Sequence, residues 1–190
     1  MAGNTRTPGA SIKPALVQAG FDVLRREGPS GLTVRAVADQ ADVAPMGVYK
    51  HFGSKDGLLQ SMVDAGYARL DQAWRSVGDG EPAARLRETA RAYRRFALDN
   101  PALYRLMFTG VVAPESTEAA ETLRGVIRHG HAAGSISPSD AGETAMHVWC
   151  CLHGAISLEL DAPPQPPTEA DASFRRLLEL IEAGLTHRGT

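Results

Sequence analysis

Apolar residues recur along the chain with the spacing of helix faces. Ile12, Ala15, Leu16, Ala19, Gly20, Val23 and Leu24 follow the i, i+3, i+4, i+7 stripe that turns one side of a helix toward a core. Ser11 can cap this helix, Pro14 falls in its first turn, where a missing N–H costs little, and Gly28-Pro29 predicts its end. A shorter helix is predicted over Leu32–Ala41, with Thr33 as cap and Val34, Val37, Ala38 and Ala41 facing inward. Asp42-Val43-Ala44-Pro45 breaks the pattern, and Pro45 suits the start of a third helix that ends near Phe52-Gly53. Ser54 caps a fourth, whose stripe runs Leu59, Met62, Val63, Gly66, Leu70, Ala73, Trp74 and Val77 before Gly78-Asp79-Gly80 stops it.

Five more helices complete the pattern. Pro82 opens one that lasts to about Asp99, where Asn100-Pro101 forces a boundary because the residue before proline disfavours helical angles. Leu103, Leu106, Met107 and Phe108 mark a short sixth, and a seventh covers about 116–133. An eighth runs from Asp140 to Leu160. The four prolines of Asp161–Thr168 predict an extended spacer, followed by a ninth helix over about 169–186. No segment alternates as a strand does, so the fold class is all-α. Residues 1–10 are polar and read as a disordered tail.

Composition narrows the function classes. Net charge is −2, but residues 1–60 hold seven basic against five acidic side chains and the remainder thirteen against seventeen. A basic head on an acidic body suits a protein that presents one end to nucleic acid. Cys150 and Cys151 are adjacent and offer no disulfide framework, the N-terminus lacks an apolar signal core, and no stretch is apolar enough for a membrane span. These features predict a cytoplasmic protein without membrane association. There is no G-x-S-x-G, no H-E-x-x-H and no phosphate loop. The pairs His129/His131 and His147/His153 point apart on their helices. No catalytic residue, metal or cofactor is therefore expected.

The informative block is Leu32–Leu59, LTVRAVADQADVAPMGVYKHFGSKDGLL. Two short helices joined by a tight turn after a longer helix form a helix-turn-helix. Its second helix lies across the DNA backbone while the third enters the major groove. Small Ala38 allows the two helices to approach, Val43 fills the angle between them, and Gly47 and Val48 keep the third slim.

Leu32-Thr33, Arg35, Val37-Ala38, Val43, Val48-Tyr49-Lys50-His51-Phe52 and Ser54-Lys55-Asp56-Gly57-Leu58-Leu59 resemble the TetR, or tetracycline-repressor-like, family of regulators. The strong likeness covers about residues 12–60. It implies an all-α homodimer of nine-helix chains, with residues 11–55 as the DNA-binding domain and 56–190 as the ligand-binding and dimerisation domain. It also implies that Thr33, Arg35, Tyr49, His51 and Lys55 hold phosphates. Pro45, Met46, Gly47 and Lys50 would touch bases, and Lys50 would read guanine. Two residues depart from the family pattern. Asp42 stands where glycine is usual, and Met46 replaces a smaller residue. The Trp149-x-x-x-His153-Gly154 run resembles the Trp-His-Gly C-terminal domain of one subgroup.

The eighth helix is apolar nearly all round, which predicts burial on two sides. The family likeness makes the second side a homodimer contact through helices near 140–160 and 169–186. A pocket for a small lipophilic effector is expected among Tyr67, Leu70, Tyr93, Phe96, Leu103, Met107, Met146, Trp149, Cys150 and His153. His153 would bond to ligand or to a buried carbonyl. The fourth helix, with Lys55 at one end and Trp74 near the other, would join the two functions. The reading that results is a regulator, repressing by default, released from operator double-stranded DNA by its effector. A helical small-molecule-binding or adaptor protein without specific DNA binding is the alternative.

Overall fold

A computed structural model of the chain describes residues 9–108, 118–137, 140–162 and 166–186. Among them are nine helices and no strand: α1 (Gly9–Gly31), α2 (Val34–Gln40), α3 (Pro45–Phe52), α4 (Lys55–Arg75), α5 (Pro82–Asp99), α6 (Pro101–Phe108), α7 (Glu118–Ala132), α8 (Ala141–Asp161) and α9 (Pro167–Thr186). The local signals act where expected. Thr33 accepts a hydrogen bond from the Ala36 N–H, Ser54 from Gly57 and Asp140 from Glu143, each satisfying a donor that the first helical turn leaves free. Glu81 does the same for Ala83 and Ala84, and these two bonds hold its carboxyl below the usual carboxylate range.

Some boundaries differ from the expectation. α1 already begins at Gly9, so Ser11 lies inside it rather than at its cap. Gly28 (φ 70°, ψ −174°) breaks the helix where Gly28-Pro29 predicted an end, and a separate turn carries the chain to Gly31. α9 starts at Pro167, because a proline fits the first helical position, and α8 reaches Asp161. That shortens the predicted proline spacer, of which residues 163–165 lie outside the described residues, as do residues 1–8 of the predicted tail.

Two compact units divide the chain. The first holds α1, α2, α3, α4 as far as Tyr67, and α6. The packing boundary therefore falls within α4 rather than at residue 55. Leu16, Val23, Leu24, Val37, Ala38, Val48, Leu58 and Met62 form its core. α4 lies close against two neighbours: a Cβ at Gly20 would meet the Met62 sulfur at 2.7 Å, and one at Gly66 the Met107 sulfur at 2.8 Å.

The second unit holds α4 from Ala68, α5, α7, α8 and α9. Its core includes Trp74, Tyr93, Ala97, Leu123, Ile127, Val148, Leu152, Ile156, Phe174 and Leu178. Arg94 ties three helices together. Its Nε and Nη2 donate to the two carboxylate oxygens of Glu159 on α8 (2.8 and 2.7 Å), and Nη1 donates to Asp171 on α9 (2.6 Å). Its guanidinium also sits 5.1 Å from the Phe174 ring centre. Such a fork places two bonds on one carboxylate in fixed geometry, which a point-charge ammonium cannot reproduce. Arg94→Gln should lower the unfolding free energy by about 2 kcal/mol, with Arg94→Lys recovering only part of it. An unchanged urea midpoint in Arg94→Gln would show that the tie contributes nothing.

Candidate functional site

The α2–α3 turn depends on one residue. Asp42 has φ +53°, the one positive φ outside glycine among the described residues. Aspartate tolerates this left-handed conformation better than most side chains, so the turn survives the absence of glycine. The Val43 N–H then returns to the Ala38 carbonyl (3.0 Å), which closes the turn over Ala38. Gly47 faces Val43, with 3.7 Å from a notional Cβ to the valine methyl, so the two helices meet at ordinary van der Waals distance.

Val48 is fully buried and fixes the rotation of α3. Residues 46 and 50 lie about 160° away around the helix. Met46 is accordingly 73% exposed, and Tyr49 is 46% exposed beside it. Pro45 and Lys50 are exposed, and Gly47 and His51 are half-buried. Thr33 is exposed at the start of α2; its oxygen accepts from Ala36, which leaves its own O–H free to donate. Arg35 stands 3.9 Å from Asp39, both exposed, a pair of little energetic weight in water. Lys50, His51 and Lys55 form no ion pair among the described residues. The face is thus an apolar and aromatic ridge flanked by uncompensated cations. Two features that sequence reasoning missed complete it. Lys13 of α1 lies over the Phe52 ring, 5.6 Å from its centre, at the end of α3. Gly57 explains the corner between α3 and α4: a Cβ there would sit 2.0 Å from the Phe52 carbonyl oxygen. Gly53 (φ 74°) turns the chain, Ser54 caps α4, and Gly57 lets its first turn close on the end of α3. A glycine inside a first helical turn was the signal available in the sequence.

The predicted effector residues divide between the units. Tyr67, Leu103 and Met107 are buried in the first, where burial and then Tyr104 raise the Tyr67 phenol to about 12. Leu70, Tyr93, Phe96, Met146, Trp149, Cys150 and His153 belong to the second. Within it, Met146 (56% exposed) and Cys150 are on the solvent side of α8, so in the single chain they wall no enclosed cavity. The buried stripe of α8 is instead Thr144, Ala145, Val148, Leu152 and Ile156, small and branched residues that sit close against α5 and α7. Trp149 and His153 are half-buried on the flank of that stripe and stack at 4.9 Å. The Trp149 indole N–H donates to the hydroxyl of buried Tyr93 (3.2 Å). That hydroxyl also pairs with His153 Nδ1 (3.2 Å), and Ser157 Oγ lies 3.5 Å from Nε2. Trp74 meets the Tyr93 ring edge-on at 5.8 Å. The Trp74 Nε1 and Thr89 Oγ1 are buried without a hydrogen-bond partner among the described residues. No group of three His, Cys, Asp or Glu residues among the described ones could hold a metal ion.

Residues 16–62 match the bacterial regulatory proteins of the tetR family, and residues 86–181 the tetracyclin repressor-like C-terminal domain. The chain belongs to the TetR family. It is 31% identical to the tetracycline repressor protein class A from transposon 1721 of Escherichia coli, over 91% of this chain and 89% of that one. An HTH-type transcriptional regulator of Mycobacterium tuberculosis, Rv0681, is 25% identical over 96% of this chain and 85% of that one. A solved structure from Rhodococcus sp. RHA1 superposes with a TM-score of 0.77 at 25% identity, covering 97% of this chain and 100% of that one. A TetR-family chain with this head is a DNA-binding transcriptional regulator. Among its described residues, no helix is long and apolar enough to cross a membrane.

Two outcomes check this geometry. Gly57→Ala should destabilise the regulator by about 1–3 kcal/mol, because its methyl meets backbone rather than a yielding side chain; a wild-type melting curve would refute the tight corner. Burial holds the His153 imidazole below its ordinary value. The unfolded chain therefore binds this proton more readily than the folded one. The stability linked to it is complete above about pH 6.5 and is lost as pH falls below that value. The drop in urea midpoint between about pH 7.5 and about pH 5.5 should shrink in His153→Gln, and an identical drop would dissociate His153 from it.

Proposed function

We propose that this TetR-family regulator represses transcription by gripping operator double-stranded DNA as a homodimer, and that a small lipophilic effector releases it. The observation that carries the DNA half is the exposed ridge of Pro45, Met46 and Tyr49 beside Lys50, which has no carboxylate partner among the described residues. In this reading Lys50 donates to guanine acceptors, while Pro45, Met46 and Gly47 pack on base edges and thymine methyls. Thr33, Arg35, Tyr49, His51 and Lys55 bind phosphates. Lys55 does so at the start of α4, where free N–H groups also favour an anion. Lys13, held over Phe52, adds a further cation on the same unit.

Dimerisation through α8 and α9 is supported by Leu158 and Leu180, 74% and 71% exposed, and by an open groove of about 510 Å³ that includes Ala155, Leu158, Ala170 and Leu177. Gly154 lies open in the same stretch, a position where a second helix can approach closely. Pairing of two heads about 34–36 Å apart would match one DNA turn. The effector half is supported by the polar cluster in the second unit. Burying an indole N–H or a hydroxyl unpaired costs about 1–3 kcal/mol each, so Trp74 and Thr89 suit a ligand that supplies their partners. α4 is one continuous helix with Lys55 in one unit and Trp74 in the other. An effector that prefers one tilt of it would change operator affinity, typically by about 1–3 kcal/mol of coupling. The protein so read works in the cytoplasm as a binder and switch, not as an enzyme.

Selection of binding sequences from a random duplex library, with excess competitor DNA, tests the core of this. The protein should enrich a two-fold symmetric site. Lys50→Ala should lose about 1–3 kcal/mol on that site and relax its base preference, whereas Lys55→Ala should weaken all sequences alike and reduce the salt slope by about one. Failure to enrich any sequence would favour a helical small-molecule-binding or adaptor protein instead.

A further inference from the structure

An open groove of about 450 Å³ runs between α5 and α9 within the second unit. Four of its lining residues are arginines, Arg91, Arg94, Arg95 and Arg175, in a chain whose net charge is −2. Two of them are already engaged: Arg94 by Glu159 and Asp171, and Arg91 by Glu88. Arg95 and Arg175 are exposed and meet no carboxylate among the described residues. The rest of the lining is Asp171, whose carboxylate is held by Arg94, and an apolar strip of Leu98 (39% exposed), Phe174 and Leu178.

We propose that this groove binds a free single-chain carboxylate amphiphile. Its alkyl chain would lie along Leu98, Phe174 and Leu178, and its carboxylate between the guanidiniums of Arg95 and Arg175. The chemistry follows from the two surfaces. Guanidinium pairs with carboxylate through parallel N–H donors, and the strip beside it gains by shedding water. A volume of about 450 Å³ lies within the range of small-ligand sites. The groove is separate from the Trp74–Tyr93–His153 cluster and shares no lining residue with it. It is also compatible with pairing of two chains. On α9, Arg175 and Leu177 flank the buried Phe174–Leu178 stripe on opposite sides, about 160° apart around the axis. The flank with small and apolar residues is free to meet a second copy while the arginine flank stays open.

The test is calorimetric titration of the full chain with sodium dodecanoate below its micelle threshold, with dodecanol as the uncharged control. Dodecanoate should bind, should weaken as salt is added, and should bind about tenfold more weakly to the Arg95→Gln/Arg175→Gln variant. Dodecanol should bind more weakly than dodecanoate and respond to neither change. Leu98→Glu, an exposed substitution that sets a like charge in the path of the chain, should also suppress dodecanoate binding. It keeps the test open if the double variant folds poorly. Absence of binding overturns the proposal. So does binding indifferent to all three substitutions, which would place the ligand elsewhere, including the core around Trp74. If vesicles of phosphatidylglycerol bind with the same arginine dependence while dodecanoate does not, the occupant is a membrane surface and the proposal falls. Operator binding enters none of these outcomes.

Discussion

The reading head depends on how closely one helix can begin where another ends. α3 finishes at Phe52 and α4 starts three residues later, so the carbonyl of Phe52 projects into the first turn of α4. Only a residue without Cβ fits there, and Gly57 supplies it. The approach sets where Lys55 stands relative to the ridge of α3, since both are carried by backbone rather than by flexible loops. Val48 then locks rotation by full burial, which leaves Met46 and Lys50 outward. In the proposed DNA-binding reading, the phosphate contact of Lys55 and the base contacts of α3 would be positioned by the same corner.

The second unit is held by a different principle. Its helices are long, and directional polar ties join them: Arg94 to Glu159 and Asp171, Arg87 to Glu182, and Asp71, braced by Arg75 on its own helix, accepting from Thr122. A partly buried fork with satisfied partners fixes the relation of α5, α8 and α9 where apolar packing alone would permit sliding. Beside Tyr93 the two indoles differ: the Trp149 donor is satisfied by the Tyr93 hydroxyl, and that of Trp74 finds no partner among the described residues.

Much of the head was legible in the sequence because its determinants are local. Caps at Thr33 and Ser54, the proline opening α3 and the stripe that buries Val37, Ala38 and Val48 all act within a turn or two. The tolerance of Asp42 for a left-handed angle could be argued in advance for the same reason. What escaped was non-local. Arg94 finds partners 65 and 77 residues away, and no periodicity reveals that. The Gly57 approach exists only once the corner is folded. On α8 the apolar pattern runs nearly all round and predicts two buried sides, so it does not say which side meets the rest of its own chain; close helix packing selects the slim stripe of Ala145, Val148 and Leu152 for that.

The distribution of indoles has a practical consequence. The chain has two tryptophans, Trp74 and Trp149, and both belong to the second unit. Trp74 is buried with its N–H unbonded among the described residues, while Trp149 is half-buried, stacked on His153 and bonded to Tyr93. Intrinsic emission excited at the red edge of absorption therefore watches one half of the molecule and is blind to the helix-turn-helix. A spectral change on adding duplex would report on the second unit, and so would be an optical record of a response outside the helix-turn-helix.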